Sequence, residues 1–184
     1  MLSPLMLHTS QTTSVVSQIV VDAARPQSGR LELHYILTGD IGALAIPSKT
    51  EPARRDDLWR ATCFEAFVQA GDTSAYSEFN FAPSSQWAAY SFSAYRKRLD
   101  PAPDMAAPII ETQRSPTQLE LHAALDLRAW PALDPDVDWR LGLSAVIEDR
   151  SGAITYWALA HGIGAPDFHN ALGFNLTLPG RTQI

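Results

Sequence analysis

Residues 58–96 read LWRATCFEAFVQAGDTSAYSEFNFAPSSQWAAYSFSAYR, and the reading of this stretch decides the fold. Three runs dense in aromatic and small apolar residues, 58–69, 75–81 and 87–95, are separated by AGDTS and APSSQ. Pro83 lies outside the runs, and no helix cap precedes an apolar stripe of 3.6-residue period. The pattern predicts a meander of three antiparallel strands with both faces partly covered.

Polar groups interrupt these apolar runs. Glu65 lies among Cys63, Phe64, Ala66 and Phe67, and Glu78 and Asn80 lie between Tyr76 and Phe81. Alternation along a strand puts Tyr76, Glu78 and Asn80 on one face and Phe79 and Phe81 on the other. Three readings stand side by side: a solvated sheet face, a ligand-contacting polar patch edged by aromatics, or buried polar groups that need partners.

Outward from this centre the chain keeps the same habit. Residues 14–21 (SVVSQIVV) and 31–37 (LELHYIL) read as strands, the second with Leu31, Leu33, Tyr35 and Leu37 on one face. Residues 47–57 (PSKTEPARRDD) form a polar loop ending in Arg54, Arg55, Asp56 and Asp57 before Trp59. Residues 97–108, with three prolines, are expected as a long loop. Strands are expected at 109–114, 118–125, 139–148, 154–160 and 174–178, with the irregular loop HGIGAPDFHNALG before the last. LELHY and QLELHAAL resemble each other and suit two equivalent edge or outer strands. Residues 1–13 are expected to be a flexible segment ahead of a single domain at 14–178. The class predicted is all-β: two packed antiparallel sheets, roughly nine or ten strands and almost no helix.

Composition excludes several functions. A formal net charge of −6 disfavours nucleic acid or an anionic membrane as partner. No run approaches 18 apolar residues, so no membrane span is expected. Cys63 is the lone cysteine, which rules out an internal disulfide and a four-thiolate zinc site. Its apolar setting without an adjacent histidine reads as an inert buried thiol. The opening MLSPLMLHTSQTT has no Lys or Arg, unlike a secretory signal, and points to the cytoplasm. Neither a phosphate loop nor a dinucleotide fingerprint occurs.

Catalytic and metal chemistry have limited material. A glycosidase needs two carboxylates placed roughly 5–9.5 Å apart. Glu65 and Glu78 would meet that only as hairpin neighbours, and ion pairing with Arg60, Arg96 or Arg140 is the plainer expectation. His161, Asp167 and His169 are weak metal-ligand candidates, set against a loop pinned by charged hydrogen bonds. Met105, His122, His161 and His169 are conceivable haem ligands, but CxxCH is absent. No cofactor is expected, with a metal ion left open.

The segments RRDDLWRATCFEAFV, YSEFNFAPSSQWAAYSFSAYR and AVIEDRSGAITYWALAHGIGAPDFH together resemble the DOMON-like proteins related to carbohydrate-binding module family 9. The nearest likeness is to the short, stand-alone bacterial subgroup, over most of residues 30–178. The resemblance implies a jelly-roll-like β-sandwich with one ligand-facing side, on which Trp59, Glu65, Phe67, Tyr76, Glu78 and Asn80 match the shared core. Relatives include sugar-binding modules and haem-binding domains. The implied ligand is a sugar or cell-wall-related glycan, held without catalysis. Trp59, Glu65, Glu78, Asn80, Trp87 and Arg96 are the candidate contacts. Aromatic rings would cover the apolar face of a pyranose while Glu, Asn and Arg meet its hydroxyls. A protein-interaction or dimerisation domain is the alternative, and a glycoside-processing enzyme using Glu65 and Glu78 the second. Oligomeric state is left open.

Overall fold

A computed structural model describes residues 2–12 and 14–180. The described residues form twelve strands, three short 3₁₀ turns and no α-helix. No helix is long and apolar enough to cross a membrane.

The front sheet contains the central meander. Strands β4 (Cys63–Ala70), β5 (Tyr76–Phe81) and β6 (Trp87–Ala94) are antiparallel neighbours, and β7 (Lys97–Leu99) closes the edge beyond β6. On the other side β4 pairs along its whole length with β10 (Trp139–Glu148). The far edge of β10 is shared. Its second half pairs with β11 (Ile154–Ala158) and its first half with β12 (Phe174–Leu178).

The back sheet runs β2 (Val16–Ala24), β3 (Arg30–Gly39), β9 (Gln118–Asp126) and β8 (Ile109–Arg114), all antiparallel. The LELH segments are therefore adjacent interior strands, with His34 opposite His122, and not the outer pair expected.

Strand β1 (Ser3–Leu7) joins the sheets. Ser3, Pro4 and Leu5 pair with β2, then Met6 and Leu7 pair with β11. This corrects the expectation of a flexible segment at 1–13: residues 3–7 satisfy backbone groups on both sheets, and Leu5 is buried in the core. The expected strand at 58–69 is also shorter. Leu58–Arg60 is a 3₁₀ turn, and β4 begins at Cys63. Part of the expected loop at 97–108 is β7, three exposed residues annealed to β6.

The inter-sheet core takes one face of each sheet. Leu31, Leu33, Tyr35 and Leu37 from β3 meet Phe64, Phe79, Phe81 and the β10 residues Trp139, Leu141 and Leu143. Three of the buried polar tips in and around this core have clear partners, which a low-dielectric interior favours. The Tyr35 hydroxyl donates to the Glu65 carbonyl at 2.8 Å. Trp130 Nε1 donates to Ser77 Oγ at 2.7 Å, and Trp139 Nε1 donates to the Asp134 carbonyl at 2.8 Å.

The front sheet buries its other face as well. Phe67, Tyr76, Ala88, Tyr90, Phe92 and Phe174 form a second cluster, packed by Leu58 and Phe168. All eight residues of β4 and all six of β5 are consequently buried. That explains the continuous apolar runs of the central stretch, since a strand covered on both faces has no solvent side to mark with polar residues. Gly142 makes the second cover feasible. A Cβ there would meet the Phe174 ring at 2.5 Å, where Phe174 stacks on Phe67 at 5.9 Å.

Candidate functional site

Strand registers lay out the outer face of the front sheet as a grid. One row runs Ser144, Glu65, Asn80, Ala88 across β10, β4, β5 and β6. The next runs Gly142, Phe67, Glu78, Tyr90. Glu65 and Glu78 are therefore diagonal neighbours on one face, within reach of long side chains. The solvated-face reading is excluded, since Glu65, Glu78 and Asn80 are all buried.

Two segments fold over this grid and leave a cleft of about 800 Å³. Residues 53–55 run beside β6. Arg55 N donates to the Trp87 carbonyl at 2.8 Å, and Trp87 N donates to Ala53 O at 3.0 Å. That anchor carries Asp56, Asp57 and Trp59 to the rim. Opposite them, the loop after β11 brings Phe168 and His169, while Tyr156 comes from β11 itself. Arg96 and Arg98 line the end near the β6–β7 hairpin.

The two carboxyl groups at the floor are held by neutral groups. Asn80 Nδ2 donates to Glu78 Oε1 at 2.9 Å. Ser144 Oγ donates to Glu65 Oε2 at 3.3 Å. Among the described residues, the ion-pair contact to this pair is His169 Nε2, 3.8 Å from Glu78 Oε2. The expected arginine partners are engaged elsewhere: Arg140 with Gln69, Arg60 with Asp57 and Arg96 with Asp167. Burial pushes the Glu78 carboxyl up to about 7. Burial, then the charge of Glu78, holds Glu65 well above the usual carboxylate range. Desolvation of an unpaired charge favours the protonated form.

His169 is the hinge of the covering loop. Its ring packs edge-on against Phe67 and Phe92, both at 5.1 Å. The Tyr76 hydroxyl lies 2.8 Å from Nδ1 and itself accepts from Arg96 N at 3.0 Å. Burial, with Arg96 adding to it, lowers His169 to about 4, so the ring is neutral at pH 7. A neutral ring accepting the Tyr76 proton at Nδ1 carries its own proton on Nε2, facing Glu78. Asp167 ties the loop down. It accepts from Tyr95 Oη at 2.7 Å, Arg96 Nη2 at 2.6 Å and His169 N at 3.2 Å.

Four of the six expected contacts, Trp59, Glu65, Glu78 and Arg96, line the cleft. Asn80 sits beneath it, fully buried, and orients Glu78. Trp87 is a correction. Alternation along β6 sends it into the inter-sheet core, where it is 6% exposed and cannot reach a ligand in this cleft. Trp130, Trp139 and Trp157 share that core, so Trp59, 47% exposed, is the tryptophan available for stacking. The three metal-ligand candidates do not converge. His161 Nε2 bonds to the Met6 carbonyl at 2.8 Å, while Asp167 and His169 pin the loop. Among the described residues no group of three or more His, Cys, Asp or Glu is placed to hold a metal ion. Cys63 is fully buried, and burial keeps its thiol protonated.

Sequence reasoning missed Tyr90, Phe92, Tyr156, Phe168 and Arg98. Tyr90 and Phe92 were within reach, because the short β5–β6 connection places them opposite Glu78 and Tyr76. The others arrive through loops and non-neighbouring strands, with no local signal. Tyr90 is set by Asp56, which accepts its hydroxyl at 2.8 Å, and by Arg98 over its ring at 4.4 Å.

No protein-family model matches the chain, and no curated protein matches it. Solved structures do. A Bacteroides uniformis protein provisionally described as carbohydrate-binding superposes with a TM-score of 0.71 at 15% identity, over 98% of this chain and 86% of that one. A family 9 carbohydrate-binding module from Caldicellulosiruptor kristjanssonii, in complex with cellotriose, superposes at 0.53 and 10% identity, over 89% and 74%. A glucose complex of such a module from the same organism gives 0.51 and 10%, over 83% and 71%. The likeness is one of fold: the chain has a β-sandwich like that of carbohydrate-binding module family 9.

Proposed function

We propose that the cleft on the outer face of the front sheet binds a carbohydrate without transforming it. The observation that carries this reading is the cleft's make-up. Glu65 and Glu78 form a polar floor, and Trp59, Tyr90, Tyr156 and Phe168 stand around it. A pyranose needs both parts: rings for its C–H face and fixed acceptors and donors for its hydroxyls. The volume suits a small saccharide. The fold likeness supports the ligand class, as does the motif resemblance to stand-alone DOMON-like proteins.

The carboxyl pair argues for binding over glycoside cleavage. A retaining enzyme needs one carboxylate kept ionised as nucleophile beside a protonated acid. Here burial raises both carboxyls, Glu65 well above the usual range and Glu78 to about 7, so neither is held fully ionised at neutral pH.

A glycan array spanning neutral and cell-wall sugars, followed by calorimetry on each hit, tests the proposal. Trp59→Ala and Glu78→Ala should each weaken a hit by about tenfold or more with the fold retained. Absence of any sugar hit, together with a specific protein recovered through the same face, would replace the reading with an interaction domain. Multiple turnover of a glycoside, abolished by Glu65→Gln or Glu78→Gln, would replace it with an enzyme.

A further inference from the structure

We propose that the carbohydrate taken by this cleft carries a protonated primary amine, a free amino sugar whose ammonium group sits over Glu65 and Glu78. The proposal rests on the carbohydrate reading above and names the substrate class of the same site.

Two buried acidic side chains with no cationic partner in contact carry the inference. Glu65 is 2% exposed and Glu78 6%, yet both border the cleft. Each has a neutral donor, Ser144 or Asn80, and neither has a lysine or arginine nitrogen within ion-pair distance among the described residues. Two adjacent carboxyls without a counter-charge are costly to bury, and proteins normally pair them. Here the missing cation has one open approach, from the cleft. The walls on that approach include the rings of Trp59, Tyr90, Tyr156 and Phe168, with Asp56 and Asp57 at one rim and Arg96 and Arg98 at the hairpin end. Ring faces attract an ammonium group once water is excluded, and a neutral hydroxyl gains nothing comparable. The negative chain, at −6, favours the arrival of a cation.

The other charged and titratable groups facing the pair supply that charge only in part: Arg96 and Arg98 favour the ionised form of Glu78 from a distance, without contacting either carboxyl. Arg96 and Arg98 approach Glu78 from the β6–β7 hairpin, but Asp167 and Asp100 hold their guanidiniums at 2.6 and 2.9 Å. His169, on the covering loop, is neutral at pH 7. Beside them, Asp56 accepts from Tyr90 and adds negative charge at the rim. Tyr76 is engaged with His169, and Cys63 and Tyr35 remain protonated below the floor. Burial, with nothing cationic in contact, raises both carboxyls. An incoming ammonium would draw one of them into its ionised form and release its proton to solvent.

Calorimetry on the full chain tests this with glucosamine, galactosamine and mannosamine, each against its N-acetyl form and its parent hexose, as monomers and as short oligomers where these exist. At least one free amine should bind about tenfold or more tighter than both counterparts. Its binding should release a proton, read as a dependence of the heat on buffer ionisation enthalpy near pH 6. Glu78→Gln and Glu65→Gln, checked for fold by circular dichroism, should bring the ratio of amine to neutral affinity close to one. A ratio already near one in the parent protein, with sugars bound, overturns the amine and leaves the carbohydrate reading standing. A preferred amine whose ratio survives both Gln substitutions also overturns it, because the carboxyls then act only as hydrogen-bonding groups. Failure of every sugar in the panel overturns both.

Discussion

Glu65 and Glu78 lie diagonally across neighbouring strands, Glu65 opposite Asn80 and Glu78 opposite Phe67, on the covered outer face of the front sheet. The same two rows hold aromatic rings and neutral donors but no lysine or arginine. Much of the protein's pH behaviour and binding chemistry follows from that juxtaposition.

The first consequence is a pH-dependent stability. The folded chain retains protons on Glu65 and Glu78 that the unfolded chain releases near 4.5. Stability from these groups is full below that value and declines as pH rises through the folded range, by on the order of 3 kcal/mol for Glu78, ending near 7. His169 acts in the opposite sense. Its folded value is near 4, so stability is lost as pH falls from 6.5 toward 4. Between about 4.5 and 6.5 these two contributions offset each other, leaving Glu65, opposed by His161, whose value burial also lowers, to set the slope. Glu65→Gln should gain stability relative to the parent on moving from about pH 5 to about pH 8, measured by urea unfolding. A difference that stays constant with pH would show that Glu65 is ionised in the folded protein.

Two tryptophans should separate binding from folding. Trp59 is half exposed at the cleft rim, so Trp59→Ala should shift stability by no more than about 0.5 kcal/mol while weakening ligand binding. Trp87 packs in the inter-sheet core, so Trp87→Ala should cost about 3–5 kcal/mol of unfolding free energy. Paired denaturation and titration of the two variants would expose a reversed assignment.

The joining strand β1 should be structural. Leu5→Ala removes a buried side chain at the seam between the sheets and should cost about 2–5 kcal/mol. Hydrogen exchange in β2 and β11 should quicken together, since β1 pairs with both. A neutral effect would return residues 3–7 to the status of a dispensable flexible segment.

Asp167 should govern the loop that covers the cleft. Asp167→Asn weakens its bonds with Tyr95, Arg96 and the His169 amide. The Arg96 side chain is half exposed, so the stability cost should stay near 1 kcal/mol or below. Faster exchange at the His169 amide and weaker ligand binding should accompany it. Unchanged exchange there would mean that the Tyr76–His169 contact alone holds the loop.

The sequence by itself determined most of the strands and their facing, though not β1 or β7. Phe79 and Phe81 against Tyr76, Glu78 and Asn80, or Leu31, Leu33, Tyr35 and Leu37 against their alternates, follow from the two-residue period of a strand. The lone buried thiol and the nearness of Glu65 to Glu78 were legible on the same local grounds. Tertiary structure alone decided what those faces meet. Trp59 and Trp87 both fall in aromatic-rich runs of the sequence, yet one reaches the cleft and the other the core. Residues 3–7 look like a flexible segment until two sheet edges offer them partners. The arginines near the acidic pair bind elsewhere, and Tyr156 and Phe168 complete the cleft from distant parts of the chain. Facing within a strand is set by neighbouring residues. Which charge pairs with which, and which ring lines which cavity, is set by contacts across long sequence separations that leave no local pattern.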